Sequence, residues 1–583
     1  MASSSRYQQV IDEFEAITKD AEKVQLETLK KIIELNSETE YLRKWGLNGR
    51  TDPKSFRSCV PLVTHADIEP YINRIADGDK SPVLTTEPIR SWSLSSGTTN
   101  GRPKFVPFND DLVASSLQVF AISGSYRALL FPIMPGGRSL EFVYGSKQKR
   151  TKGGLVASTA TTNLFNSAEF KIAKKSSQVF ACSPDEVVFG NDSRQSLYCH
   201  LLCGLLYSNE VQYVSSTFSY SILHAIRTFE QVWQELCIDI KEGKLSERIT
   251  EPSMRESVSK LLKPDPELAD TIYEKCENME KSNWNGVIRK LWPNAKYIFS
   301  IMTGAMEPYL MKLRHYAGDL PLVSADYGST EGWIGANLDP KTPPENTIFT
   351  VVPNIAYFEF IPLHEESKLD EPNEANGSAQ ESKSVGLTEV EVGKAYEVVF
   401  TTFAGLYRYK LGDVVRVVGF HNSTPQLSYE RRKNLLPSVN IDKITEKDLQ
   451  ISVEKATQLL KEENVELVDF TSSTDMSTEP GHYVIYWELS GKMDENLLRK
   501  CCSVMDESFA DAGYVGSRKA KTIGPLELRI LEKGTFRKIL DHYLSLGAVV
   551  SQFKTPRCIS CNPALFDILN NSVIQRHFST FLS

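Results

Sequence analysis

The sequence predicts an α/β fold, with a large first domain and a smaller α+β domain at the C-terminal end. Three observations carry that reading. Helical periods and β-rich runs are interleaved along residues 1–430, the pattern of sheets covered by helices. After a charged stretch at 431–443, helix and strand patterns alternate again through 444–583. A chain of 583 residues with 41% apolar and 24% charged residues suits several packed domains and not a disordered chain.

The elements follow in order. Val10, Ile11, Phe14, Ile17 and Ala21 recur at helical spacing, and Val24 and Leu29 continue the pattern, so one helical entry over Val10–Leu35 is expected. Arg90–Phe108 reads as a serine-rich extended segment around a glycine loop. Asp110 then opens a helix, DDLVASSLQVFAIS, on which Leu112, Ser116 and Phe120 share a face. Ile222–Ile238 is a strong helix. Val351–Pro362, Ala395–Thr402 and Val414–Phe420 read as strands. The segment 364–384 is polar and turn-rich, and is expected to be a mobile surface loop between strands. Past the charged stretch come a helix over Glu446–Glu462, a strand over Gly481–Leu489, a helix over Glu495–Ala512, and a strand over Leu526–Leu531. A last helix, Phe536–Leu546, stops at Gly547. No internal repeat is visible.

Composition narrows the function. A net charge of -8 and a pI near 5.8 give no electrostatic case for nucleic acid. No apolar run approaches the ~20 residues that cross a bilayer. The start, MASSSRYQQVIDEFEAITKD, has no hydrophobic signal core, and HFSTFLS at the end has no lipidation signature. A cytoplasmic protein without a membrane partner is expected. Ten cysteines over this length do not form a disulfide framework. Cys558 with Cys561, and Cys199 with Cys203, lack the second pair that structural zinc requires, and none of the nine histidines forms HExxH.

Three stretches carry chemistry. SSGTTNGRPK, residues 95–104, gathers the hydroxyls of Ser96, Thr98 and Thr99, two glycines that permit positive φ, and Lys104, as an anion cradle would. It is not a Walker A loop, because Pro103 precedes the lysine and the glycine spacing differs. DYGSTEGW, residues 326–333, offers Tyr327 for stacking, Ser329 and Thr330 for a phosphate, and Glu331, one carboxylate being enough for magnesium. The same residues fit a strand end followed by a helix capped by Ser329 or Thr330. In GLYRYKLGD, residues 405–413, Tyr407 and Tyr409 alternate with charges as on an edge strand. Gly412-Asp413 reads as a tight turn whose carboxylate could accept two ribose hydroxyls, or serve the turn alone.

Together, in this order and before a small C-terminal domain, these motifs resemble the ATP-dependent adenylating enzymes: acyl-CoA synthetases, luciferases and peptide-synthetase adenylation domains. Through LSSGTTNGRPKFVPF, SPDEVVFG, SLYCHLLCGLLYS, SADYGSTEGW, IDKITEKDLQ and GPLELRILEKGTFRKILDHYLSLG, nearly the whole chain resembles the plant auxin-responsive acyl-acid amido synthetases. GRPKF and YGSTEGW most resemble the jasmonate-conjugating branch. The resemblance implies an adenylating domain, 1–430, with mixed β-sheets and a β-barrel-like part flanked by helices. It also implies a hinge at 431–443 and a small mobile cap at 444–583. The implied reaction uses ATP and Mg2+ to adenylate an acid, after which the amine of an amino acid displaces AMP. Jasmonate and isoleucine are the expected substrates, with indole-3-acetate or a benzoate as the alternative acid. A catalytically idle, adenylate-binding regulator on the same scaffold is the reading from another class. Small molecules are the only partners expected, and the protein is expected to be a monomer.

Residue roles come with the resemblance. Lys104, Glu331 and Lys554 are implied as catalytic, with Glu331 also the magnesium ligand. Ser93, Ser96, Thr98, Thr99, Val113, Ser116, Tyr327, Gly328, Ser329, Thr330, Glu331 and Asp413 are implied to bind ATP. The acyl pocket would be lined by Ser96, Leu112, Ser116, Phe120, Thr161, Leu164, Thr217 and Trp333. The amino acid would meet Thr161, Thr162 and Asn163, together with Gly534, Thr535, Phe536 and Arg537. Arg408 fits a structural and a ligand-binding role equally. Ser215 and Thr217 stand where larger apolar residues are expected in the jasmonate branch, and Lys410 replaces the more usual arginine.

Overall fold

A computed structural model describes residues 2–99, 102–145, 148–176, 179–363, 383–433, 439, 442, 444–463, 465–546, 548, 550–559 and 562–581. The expected loop at 364–384 lies outside them except for its last two residues. So do Gly547, most of 434–443, the tip of the glycine loop at 100–101, and the side chains of Ser96, Thr98 and Thr99. The chain divides into two compact units, Met1–Gly97 with Pro103–Glu430, and Thr98–Arg102 with Arg431–Ser583.

The first unit contains three sheets. One is parallel throughout, in the spatial order Phe180–Ala181, Arg138–Phe142, Val211–Phe218, Tyr297–Ile301, Leu322–Ser324. Its strands are mostly buried, as parallel strands flanked by helices are. The helix Ser219–Glu242 follows the third strand in this order and buries Ile222, Ile226, Phe229, Trp233, Leu236 and Ile240 along one stripe. Gly243, at φ 66°, ends it. A second sheet orders Arg102–Phe108, Ser91–Thr99, Val156–Ser158 and Lys149–Arg150. The third is an eight-stranded sheet, antiparallel at its registered pairs. It runs Tyr327–Gly328, Trp333–Ala336, Ile348–Val351, Thr424–Arg432, Tyr409–His421, Ala395–Thr401, Tyr357–Pro362, Val385–Gly386.

The second unit carries a four-stranded mixed sheet, Leu467–Asp475, His482–Leu489, Glu527–Leu531, Val573–Phe578, covered by the helices Glu446–Thr457 and Glu495–Ser508. Its own core gathers Leu449, Val453, Ile485, Trp487, Leu498, Cys501, Cys502, Met505 and Leu528. No described helix in either unit is long and apolar enough to cross a membrane.

Several expected elements are corrected. The entry helix is two helices, Ala2–Lys19 and Ala21–Asn36, because the Ser423 hydroxyl takes the Ala21 N–H at 3.0 Å where the first would continue. The strand expected over Val351–Pro362 is interrupted at Pro353, and Gln25 donates to the Pro353 and Ala356 carbonyls of the break. Glu495–Ala512 is one helix only to Ser508; Phe509 turns extended and Asp511 caps a new helix, Ala512–Lys519. Tyr409 opens an interior strand of the large sheet, not an edge strand, and both Tyr407 and Tyr409 are buried. Gly412-Asp413 is no hairpin turn. Lys410 pairs with Val399 and Val414 with Glu397, so Leu411, Gly412 and Asp413 together oppose Val398 in a bulge, and Gly412 takes φ 78° to make it.

Candidate active site

The second and third sequence motifs meet in the large sheet. Tyr327–Gly328 and Trp333–Ala336 are paired strands, so residues 329–332 form a turn and not the alternative capped helix. Ser329 closes the turn: its N–H donates to the Gly332 carbonyl at 2.8 Å, and its hydroxyl accepts from the Glu331 N–H at 3.2 Å. The two glycines are obligatory. A Cβ on Gly328 would lie 2.5 Å from the Trp333 ring, and one on Gly332 would lie 2.7 Å from Phe400.

Two tyrosine–carboxylate bonds cross between the motifs in opposite directions. Tyr327 donates from its hydroxyl to Asp413 Oδ2 at 3.0 Å, and Tyr409 donates to Glu331 Oε1 at 3.1 Å. All four residues are buried. The bulge makes this possible, because it displaces Asp413 from the regular alternation of its strand. Tyr327 packs in the core between Phe349 and Tyr429, with ring centroids at 5.4 and 5.9 Å. Tyr409 was the residue that sequence reasoning missed. The only signal for it was its place two residues after Tyr407 in the same motif.

Asp326, just before Tyr327, ties this turn to a helix. The Ser123 hydroxyl donates to its Oδ2 at 2.8 Å and the Asn337 N–H donates to its Oδ1 at 2.9 Å. Burial nevertheless pushes its carboxyl up to about 6, against the pull of those two bonds and of Arg127. Ser123 belongs to the helix Asp110–Leu130, capped by Asn109, whose side chain accepts from the Leu112 N–H.

That helix also carries the expected acyl-side residues. Trp333 Nε1 donates to the Ser116 hydroxyl at 2.8 Å, and Ser116 in turn donates to the Leu112 carbonyl at 2.6 Å. The Trp333 ring meets Phe120 edge-on at 5.1 Å. Leu112, Val113, Phe120 and Leu164 share one apolar cluster with Phe108. Val113 is buried in it. Thr217 is half-buried near the end of the strand Val211–Phe218, and Ser215 is buried two residues before it.

Of the expected amine-side residues, Asn163 is fully engaged within the protein. Its side chain donates to the Trp92 carbonyl and the Ser93 hydroxyl, and accepts from Ser158. Ser93 is completely buried in the same network. The Thr162 hydroxyl meets that of Thr159, the N-cap of the helix Ala160–Asn166, and Thr161 is half-buried beside it. In the second unit, the N–H groups of Gly534 and Phe536 donate to the buried Glu488 carboxylate at 2.7 and 2.8 Å. An internal anion therefore takes this helix N-terminus. Thr535 is buried, and Arg537 is exposed.

Arg408 is structural. Its guanidinium is buried and donates to both oxygens of Glu359, to Ser384 and to the carbonyls of Arg57 and Val60. Lys104 is half-buried on the strand Arg102–Phe108. Lys554 lies near Glu446, whose carboxyl burial pushes up while Arg557, Arg432 and Lys554 pull it down. Among the described residues one group, Asp475, His482 and Glu527, has metal-ligand spacing. Arg529 donates to both of its carboxylates, which makes it a salt-bridge cluster.

Family models match three segments of this chain: the GH3 family N-terminal domain over residues 10–322, the central domain over 349–432 and the C-terminal domain over 447–563. The chain belongs to the GH3 family. It is 60% identical to the jasmonoyl–L-amino acid synthetase JAR4 of Nicotiana attenuata over 574 residues, 98% of this GH3 chain and 97% of that protein. A jasmonoyl–L-amino acid synthetase of Oryza sativa subsp. japonica is 58% identical over 98% of both chains. An indole-3-acetic acid-amido synthetase of Arabidopsis thaliana is 53% identical, again over 98% of both. The solved structure of the GH3.15 acyl acid amido synthetase superposes with a TM-score of 0.89 at 36% identity, covering 98% of this chain and 97% of that one. A 2-hydroxyisobutyryl-CoA ligase, 11% identical with a TM-score of 0.50 over 94% and 91% of the two chains, shares the fold.

Proposed function

We propose that this GH3 protein is a ligase that adenylates jasmonate with ATP and joins it to an amino acid, isoleucine in the first instance, releasing AMP and diphosphate. The observation that carries the chemistry is the crossed pair of bonds, Tyr327 to Asp413 and Tyr409 to Glu331, which gathers the two carboxylates of the motifs on one turn and one bulge. The choice of jasmonate is supported by two relatives named jasmonoyl–L-amino acid synthetases, at 60% and 58% identity. At 53%, the relative named for indole-3-acetic acid makes that acid the second reading.

In this reading the Asp413 carboxylate accepts the ribose hydroxyls, and the turn at 328–330 takes the α-phosphate between backbone and hydroxyl groups. Glu331, held by Tyr409, fits a magnesium ligand, because a buried carboxylate with one donor on Oε1 keeps a second oxygen for a cation. A magnesium ion held there by Glu331 would supply charge neutralisation on the phosphates. Lys104 and Lys554 add positive charge for the developing negative charge of the transition state. The acid's carboxylate attacks the α-phosphorus, the bond to diphosphate breaks, and an acyl-adenylate forms. The amine then attacks the acyl carbon, AMP leaves, and the amine proton passes to solvent. The apolar cluster of Leu112, Phe120 and Leu164, with Trp333 set by Ser116, suits a small lipid-derived acid. The cytosol as compartment fits the free thiols of every described cysteine.

Acid-dependent exchange of labelled pyrophosphate into ATP tests it. Exchange driven by jasmonate well above that driven by indole-3-acetate or a benzoate is expected. Exchange with indole-3-acetate alone would transfer the proposal to the second reading, and no exchange with any acid would point to the idle regulator.

A further inference from the structure

Lys554 is followed at once by a segment bonded to an edge of the small unit's sheet. Residues 555–559 run alongside the strand Leu467–Asp475, which is the outer strand of its sheet, and Ser472 and Cys558 form a parallel bridge. The Ser472 N–H and hydroxyl both donate to the Arg557 carbonyl, at 2.9 and 2.6 Å, and the Ile559 N–H returns to the Ser472 carbonyl at 3.0 Å. The Thr471 hydroxyl donates to the Pro556 carbonyl at 2.6 Å. The segment thus covers an edge that would otherwise present unpaired backbone groups.

One carboxylate organises the side-chain part of this attachment. Asp469 Oδ2 accepts from the Thr555 hydroxyl at 2.6 Å, and its Oδ1 accepts from Arg557 Nη1 at 2.6 Å and from the Phe470 N–H at 2.9 Å. The same Arg557 nitrogen donates to the Phe470 carbonyl at 2.6 Å, and the guanidinium lies 4.1 Å above the Phe470 ring. Asp469 is 5% exposed and Arg557 3%, so the pair is shielded from solvent and salt. Thr555 is buried as well, whereas the neighbouring Lys554 is only half-buried. The result is a half-buried lysine whose backbone is fixed from one side by a buried carboxylate.

We propose that Asp469 is a positioning residue for Lys554: through Thr555 and Arg557 it fixes the backbone from which the lysine reaches. The inference rests on the assignment of Lys554 to adenylation. A bulge opens the strand pairing between Leu467 and Asp469, and it is this irregularity that turns a carboxylate toward the covering segment. Nothing in the substrate-facing turn of the first unit is needed for the effect, so ATP affinity is expected to stay while turnover falls.

The test is a double-mutant cycle in the full-length protein, read by jasmonate-dependent pyrophosphate exchange. Asp469→Asn is expected to lower kcat at least about tenfold with the KM for ATP within about twofold. Asp469→Asn combined with Lys554→Ala is expected to be no slower than Lys554→Ala alone, because a residue acting only through the lysine falls silent once the lysine is gone. Thr555→Val removes one hydroxyl at near-constant shape and is expected to act in the same direction, with Thr555→Ser restoring the rate; this pair decides the matter if Asp469→Asn does not fold. Lys554→Ala slow with Thr555→Val and Asp469→Asn as fast as the wild type would overturn the positioning role alone, as would losses that multiply in the double variant. Lys554→Ala as fast as the wild type would overturn the lysine's own assignment, and the positioning role with it.

Discussion

Replacing Arg408 separates architecture from ligand binding inside the third motif. The guanidinium donates five hydrogen bonds, at 3.0 and 3.1 Å to Glu359, 3.0 Å to Ser384, and 2.9 and 2.7 Å to the carbonyls of Arg57 and Val60. Glu359 has no exposed surface, and Arg408 only 6%. Removing one partner of such a buried pair costs roughly 3–5 kcal/mol, since the other charge is left behind. Arg57 Nε stays 3.3 Å from Glu359, so the lower end, about 3 kcal/mol, applies to Arg408→Gln. For a unit of this size that corresponds to a fall in Tm of about 3–4 °C, from an unfolding entropy of roughly 2 cal/mol/K per residue. Differential scanning calorimetry reads the fall, and pyrophosphate exchange on the surviving protein is expected to show the KM for ATP within about twofold of the wild type. An unchanged Tm with a KM for ATP raised tenfold or more would refute the structural role and make Arg408 a ligand arm.

Other expectations follow from the same geometry. Tyr409→Phe strips Glu331 of its hydrogen-bond donor, worth roughly 1.5–3 kcal/mol to a charged acceptor, so the Mg2+ concentration for half-maximal exchange is expected to rise about tenfold; no change would mean that Glu331 does not serve the metal. Asp326 has a folded pKa of about 6 against 3.8 unfolded, so its contribution to stability is complete below pH 3.8 and is lost as the pH rises through 6. Between pH 5 and 7 the wild type is therefore expected to lose about 1 kcal/mol that Asp326→Asn does not, as denaturant titrations of both at each pH will read; parallel pH profiles would contradict it. Gly328→Ala forces a methyl against Trp333 and is expected to cost about 1–3 kcal/mol and to raise the KM for the acid more than that for ATP, because Ser116 and Phe120 hold the ring from its other side.

Much of this molecule was legible in the sequence where residue type and local conformation agree. The helix opening at Asp110 could be read from its period over DDLVASSLQVFAIS, although it runs on to Leu130, and Leu112, Ser116 and Phe120 do lie on one side toward Trp333. The glycines of YGSTEGW gave no local sign of their constraint, which comes from the rings of Trp333 and Phe400. Pairings distant in sequence were not legible. Nothing local announces that Tyr409 reaches Glu331, since a bulge opposite Val398 sets the phase of the strand around it. Nothing local signals that Glu488, far away in sequence, accepts from the N–H groups of Gly534 and Phe536 at their helix end. Asn163 is a similar case: nothing local signals that its side chain bonds to Trp92, Ser93 and Ser158. Tertiary structure decides which polar groups are used internally, and composition and period do not encode that.

The most direct test of the central claim is the product itself. Purified protein with Mg-ATP, an amino-acid mixture and equal jasmonate, indole-3-acetate and 4-hydroxybenzoate should yield, by mass spectrometry, a jasmonoyl amide as the main conjugate. Glu331→Gln should yield little or none. An indole-3-acetyl or benzoyl amide in its place, or no amide from folded wild-type protein, would contradict the account.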